Sequence, residues 1–94
     1  MPVAFSLIRV ESGTESEVLE ELLKISEVQS AFIVLGRYDI IVRVAADTME
    51  GVRQILLTVI RKISHIQDTA TFIAAKGKDK DYERVDLMKN HLKP

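Results

Sequence analysis

Apolar and polar residues alternate along Val3 to Val10. Ala4, Ser6, Ile8 and Val10 fall on one side, and Phe5, Leu7 and Arg9 on the other. A period of two predicts a strand. Glu11-Ser12-Gly13 interrupts it, and from Thr14 the period changes. Val18, Leu19, Leu22, Leu23 and Ile25 recur at helical spacing and make one apolar stripe. Thr14-Glu15-Ser16-Glu17 fits a capping box, in which the Thr hydroxyl accepts from the backbone three residues on. Acids crowd the front of this helix and Lys24 stands in its last turn, an order that complements the helix dipole. Val28 to Leu35 predicts a second strand, with Ala31, Ile33 and Leu35 opposing Phe32 and Val34. Gly36-Arg37 then predicts a two-residue type II′ turn, since Gly suits its first central position. Tyr38 to Ala45, rich in β-branched residues, is the third strand. Asp47-Thr48-Met49-Glu50 caps a second helix, with Met49, Val52, Leu56, Val59, Ile60 and Ile63 on its buried side. Arg61 and Lys62 close it, and Ile66 to Ala75 is the fourth strand.

The order is βαββαβ, followed by a charged extension. An internal echo supports it. Leu22-Leu23-Lys24-Ile25-Ser26-Glu27-Val28-Gln29-Ser30 aligns with Ile60-Arg61-Lys62-Ile63-Ser64-His65-Ile66-Gln67-Asp68. Lys, Ile, Ser and Gln recur at the same places, and both copies join the end of a helix to the start of a strand. A duplicated βαβ unit is the ferredoxin-like arrangement, an α+β fold with a four-stranded antiparallel sheet and both helices on one face. The domain runs over residues 3–75, and residues 76–94 form a tail. In that tail Tyr82, Val85, Met88 and Leu92 fall near helical spacing, which predicts a short amphipathic helix from about Asp81 to Leu92.

Two helices cover one sheet face only, yet the strands are apolar on both. A solvated face should alternate with polar residues. Here Phe5, Leu7 and Ile41 occupy the second face, and Arg9 and Arg43 are its polar breaks. An open apolar face of that size calls for a cover. Sheet-on-sheet homodimerisation through Phe5, Leu7, Arg9, Ile41 and Arg43 is the expectation. A tail folded back over the sheet is the alternative, made less suitable by its charge.

Ninety-four residues hold one small domain. No apolar run approaches the roughly 20 residues that cross a bilayer, and Met1-Pro2-Val3-Ala4-Phe5 does not read as a signal peptide. The cytoplasm is therefore the expected compartment, with no membrane partner. There is no cysteine, so disulfides, thiolate metal sites and cysteine nucleophiles are excluded together. The net charge of −1 gives no electrostatic reason to expect DNA or RNA. His65 and His91 are the two histidines; neither has a second His at metal-binding spacing, and no Cys can help, so no metal site is expected. His65 reads as a turn residue. No nucleophile or acid–base pair stands with an orienting partner, so neither catalysis nor a cofactor is expected.

Three segments together resemble the Lrp/AsnC family of transcriptional regulators, in their effector-binding RAM module (regulation of amino-acid metabolism). Gly36-Arg37-Tyr38-Asp39-Ile40-Ile41-Val42 is similar to the family's Gly-x-Tyr-Asp hairpin. Ile63-Ser64-His65-Ile66-Gln67-Asp68-Thr69-Ala70-Thr71 is similar to the stretch Ile-Pro-Gly-Val-x-x-Thr-x-Thr that leads into the last strand. The strand–Gly–capped-helix start is the third. Ser64-His65 stands where the family has Pro-Gly, which puts the shape of that turn in question. No helix-turn-helix precedes the first strand, so a stand-alone RAM protein is expected.

The resemblance implies an amino-acid sensor. It implies dimers through the sheets, further assembly into tetramers or octamers, and effectors bound where dimers meet. Full-length Lrp/AsnC proteins are the implied protein partners. Asp39 is the sharpest candidate, since a half-buried carboxylate can take a ligand ammonium by a charge-assisted hydrogen bond. The backbone at Gly36 and Arg37, or the Arg37 guanidinium, suits the ligand carboxylate. Tyr38 belongs to the same hairpin, and Thr69 and Thr71 offer two hydroxyls on one sheet face. Read without the resemblance, Gly36 makes the turn, Asp39 caps it, and the threonines follow β-propensity.

Other readings of the fold are weaker. An acylphosphatase-like hydrolase would want a phosphate-cradling loop with an arginine, and Glu11-Ser12-Gly13-Thr14 is neither glycine-rich nor cationic. A ferredoxin-like RNA-binding domain would want aromatics on the central strands in a basic face, where only Phe5 and Tyr38 stand. An ACT-type amino-acid sensor, and a ligand-free subunit co-assembling with full-length relatives, remain open.

Overall fold

The computed structural model describes residues 1–77. The strands are β1 (Val3–Val10), β2 (Val28–Ile33), β3 (Ile40–Ala45) and β4 (Ile66–Ile73), and the helices are α1 (Glu15–Leu23) and α2 (Met49–Gln54). The sheet is antiparallel in the order β2-β3-β1-β4. This is the βαββαβ ferredoxin-like fold that the periodicity and the internal echo predict. The echo is visible in three dimensions. Leu22 and Ile60 are both fully buried, Ile25 and Ile63 both pack half-buried against the core, and Val28 and Ile66 both open edge strands.

The period-two pattern of β1 holds residue by residue. Ala4, Ser6, Ile8 and Val10 are buried under the helices, while Phe5, Leu7 and Arg9 face the other way. Ile8, Val18, Leu22, Ile40, Val42, Val44, Val52 and Ile60 are the fully buried apolar centre. Each such side chain contributes about 1.5–3 kcal/mol on leaving water.

Several local expectations are corrected. Thr14 does not cap α1 through its side chain; its hydroxyl instead donates to the Glu11 carbonyl at 2.6 Å. Thr14 takes φ −105° and ψ 7° rather than an extended cap conformation, so its oxygen is turned from the helix end. Thr48 is extended, and its hydroxyl accepts from the Gly51 N–H at 3.0 Å. Leu23 and Met49 are exposed rather than part of the buried stripes, because each lies past the edge of its helix's contact with the sheet. Ile55, outside the expected stripe, is buried. There the helix widens into a π turn over Ile55–Val59 before a 3₁₀ turn over Ile60–Lys62. Ile55 and Leu56 lie three and four residues after the buried Val52, so both fall on the core-facing side of the helix. The second and third strands are shorter than their apolar runs, and the expected two-residue turn is absent. Residues 34–39 form a longer loop, closed by the Val34 N–H on the Asp39 carbonyl at 2.8 Å. Gly36 sits at φ 155°, far from the first position of a type II′ turn. The helix expected near residues 81–92 lies outside the described residues.

The two caps make a paired prediction. Thr48→Ala is expected to lower stability by about 1 kcal/mol, the usual value of an N-cap bond. Thr14→Ala should cost less, since no helix N–H loses its acceptor. Urea unfolding of the two variants side by side gives the order, and an equal or reversed order would contradict the cap geometry.

Candidate functional site

β3 and the loop before it end beside the far end of β1. Asp39 donates its N–H to the Ile8 carbonyl at 2.9 Å, the last rung between the two strands. The next N–H on that edge of β1 belongs to Val10, and there the partner strand has already turned away. Asp39 supplies the missing acceptor: its Oδ2 takes the Val10 N–H at 2.9 Å. A buried backbone N–H without a partner is costly, so this carboxylate fastens the loop to β1. Asp39 and Tyr38 are half-buried, whereas Gly36 and Arg37 are exposed. The Arg9 guanidinium lies over the Tyr38 ring, 5.3 Å from its centroid, a cation–π contact. Leu35 at the loop tip is fully exposed.

Thr69 and Thr71 do share one sheet face, the helix side. Thr69 stands in a row with Ile8 and Ile40. It is therefore two strand spacings, roughly 10 Å, from the loop's entry into β3. Thr71 pairs with Ser6, and their hydroxyls lie 3.2 Å apart. The loop residues are thus gathered at one end of the sheet, and the two threonines lie across β1 from them.

The opposite face carries Phe5, Leu7, Arg9, Ile41 and Arg43, as expected, in two cross-strand rows. One row runs Phe32, Ile41, Leu7, Ala70, and the other Ser30, Arg43, Phe5, Phe72. Phe5 is 39% exposed, Phe32 61% and Phe72 59%, so three aromatic rings stand in solvent on one side of one sheet. The Arg43 guanidinium lies 6.0 Å from the Phe5 ring centroid. Phe32 and Phe72 do not stand out in the sequence. Their alternation is legible there, but only the register shows that they extend the same two rows. Arg9 stands on this face and also meets the Tyr38 ring, a contact that no local pattern announces.

A second cluster has no local signal at all. His65, in the turn before β4, has a left-handed backbone at φ 77°. Its Nδ1 lies 2.7 Å from Glu11 Oε1 and its Nε2 3.1 Å from Glu17 Oε2. His65 is a turn residue, as expected, and the turn keeps a left-handed shape without glycine.

The fold is therefore that of a ferredoxin-like domain in which, among the described residues, one apolar sheet face carries no helix and the loop of residues 34–39 stands at one end. Residues 3–83 match the family model described as the Lrp/AsnC ligand binding domain. The chain belongs to the Lrp/AsnC family of transcriptional regulators, as its ligand-binding domain. It is 35% identical over 83 residues to an uncharacterized HTH-type transcriptional regulator of Pyrococcus abyssi, covering 88% of this chain and 52% of that protein. The chain spans about half the length of the curated relatives it matches. Among solved structures it is similar to FFRP-DM1, with 44% identity and a TM-score of 0.75, over 79% of this chain and 99% of that one. A transcriptional regulator of Neisseria meningitidis, solved in complex with L-Met, shares the fold at 18% identity and a TM-score of 0.74, over 86% of this chain and 54% of that one. The curated relatives are described as HTH-type transcriptional regulators. Among the described residues no helix is long and apolar enough to cross a membrane.

Proposed function

We propose that this protein is an amino-acid-sensing module in the cytoplasm that works as a homodimer or a higher assembly of dimers. The half-buried Asp39 carboxylate in an exposed glycine-containing loop carries this reading. One of its oxygens holds the Val10 N–H, and among the described residues no hydrogen bond reaches Oδ1. A ligand ammonium suits that oxygen. Backbone N–H groups at Gly36 and Arg37, or the Arg37 guanidinium, suit the ligand carboxylate. Tyr38, held by Arg9, forms a side wall. A loop this open encloses little by itself, so a second dimer would complete the site, and Thr69 and Thr71 would contribute from its neighbouring surface. Binding and assembly would then be linked, because a ligand favours whichever assembly completes its site. The L-Met complex of the Neisseria regulator supports an amino acid as the ligand class.

Calorimetric titration of the twenty amino acids into the purified protein tests this. At least one is expected to bind at or below millimolar concentration. If none does, the second reading takes its place: a ligand-free subunit that pairs with full-length Lrp/AsnC regulators through the open sheet face. One observation favours that second reading. Phe5, Phe32 and Phe72 are exposed on that one sheet face, which suits pairing with another sheet.

A further inference from the structure

The His65 cluster takes no part in the loop or the open sheet face, and it joins three parts of the fold. His65 belongs to the turn between the 3₁₀ end of the second helix and β4. Glu11 belongs to the loop after β1, and Glu17 to the first turn of α1. The backbone is bridged there too, since the Glu11 N–H donates to the His65 carbonyl at 2.9 Å. Glu17 and Ser64 also line one end of an open groove of about 520 Å³ between α1 and the end of the second helix, floored by Val18, Ile25, Val59 and Ile63.

A neutral imidazole has one N–H and one lone pair. Here each ring nitrogen faces its own carboxylate, so a neutral ring would aim its lone pair at one of two anions. Only the imidazolium donates to both. The two carboxylates sit on opposite edges of the ring and do not converge on a common point, which suits a bridged cation and not a metal ion. The backbone of His65 is left-handed, at φ 77°, a conformation uncommon outside glycine that sets the ring between the two carboxylates.

We propose that His65 is a proton-operated clasp that, when charged, ties the turn before β4 to the β1–α1 loop and to α1, and that releases one carboxylate arm when it loses its proton.

The charged groups facing the ring are Glu11 from the loop and Glu17 from α1. Further along α1, Glu21 is engaged by Lys24 at 2.7 Å, and Arg61 and Lys62 precede the turn on its own segment. The hydrogen bond to Glu11, with the negative charge of Glu17 beside it, raises the His65 pKa above its ordinary 6.5. A group whose folded-state pKa is raised stabilises the fold fully below its unfolded value. That contribution is lost as pH rises through the folded pKa. The clasp is thus fully closed below the ordinary histidine value and opens as pH rises through the raised folded-state one. Because Glu17 and Ser64 form the groove's end, opening frees that end of α1 from the turn.

The test is a histidine NMR titration of the full-length protein, with His65→Gln identifying which of the two histidine signals is His65. The His65 midpoint is expected above 6.5. Glu11→Gln should lower it most and Glu17→Gln less. The wild-type advantage in melting temperature over His65→Gln should shrink as pH rises through that midpoint. Protection of the Glu11 amide from hydrogen exchange, corrected for intrinsic pH dependence, should fall over the same range. A wild-type midpoint at or below 6.5, or one unmoved by both Gln substitutions, overturns the clasp. The wild-type midpoint alone decides between the two even if a variant fails to fold.

Discussion

Leu7→Lys and Ile41→Lys are each expected to convert a dimer of this protein into a monomer. Both positions lie at the middle of the uncovered sheet face, paired with one another across β1 and β3. They are flanked by Phe5, Phe32 and Phe72. These three rings are partly exposed, and with their two-fold-related copies they would supply the apolar core of an interface. A lysine in that core would be desolvated without a partner, at a cost of several kcal/mol. At micromolar concentration this shifts the balance to monomer. The fold itself should survive, because both side chains point away from the helices. Light scattering with circular dichroism reads mass and fold together. Unaltered dimers after both substitutions would place the interface elsewhere. Ile8→Lys is the matching control: it puts the same charge one residue away on the buried side, and loss of the fold is expected.

The second large effect is at Asp39, where two roles can be separated. Asp39→Ala removes the acceptor from the Val10 N–H and any anion that would face a ligand ammonium. A charged hydrogen bond is worth about 1.5–3 kcal/mol, so both stability and affinity should fall, the affinity by roughly tenfold to a hundredfold. Asp39→Asn keeps an oxygen for the Val10 N–H and loses the charge. It should unfold in urea close to wild type while binding the amino acid much more weakly. If Asp39→Asn binds as wild type does, the loop is structural and the ligand site is wrong. If both variants bind normally, Asp39 only ends the strand ladder.

Periodicity determined the order of the elements and which residues share a side of each strand. A period of two or of 3.6 is set by backbone geometry, so Ala4, Ser6, Ile8 and Val10, which are buried together, share a side by their spacing in sequence. The duplicated Lys-Ile-Ser segment likewise announced two equivalent units, and hence the topology. The Gly-x-Tyr-Asp and Thr-x-Thr segments, taken together with the strand–Gly–helix start, carried the family resemblance.

Tertiary structure decided what depends on distant partners. The loop of residues 34–39 is longer than its glycine suggests, because Asp39 must reach the end of β1 to serve Val10. Thr14 fits a capping box by spelling, yet the turn after β1 sends its hydroxyl to Glu11. The register of β2 and β4 decided that Phe32 and Phe72 join Phe5 on one face. The His65 cluster unites residues 48 and 54 positions apart, where no local pattern operates. Sequence spacing governs what one helix or strand can bury; which charges meet is set only when the strands and helices are packed together.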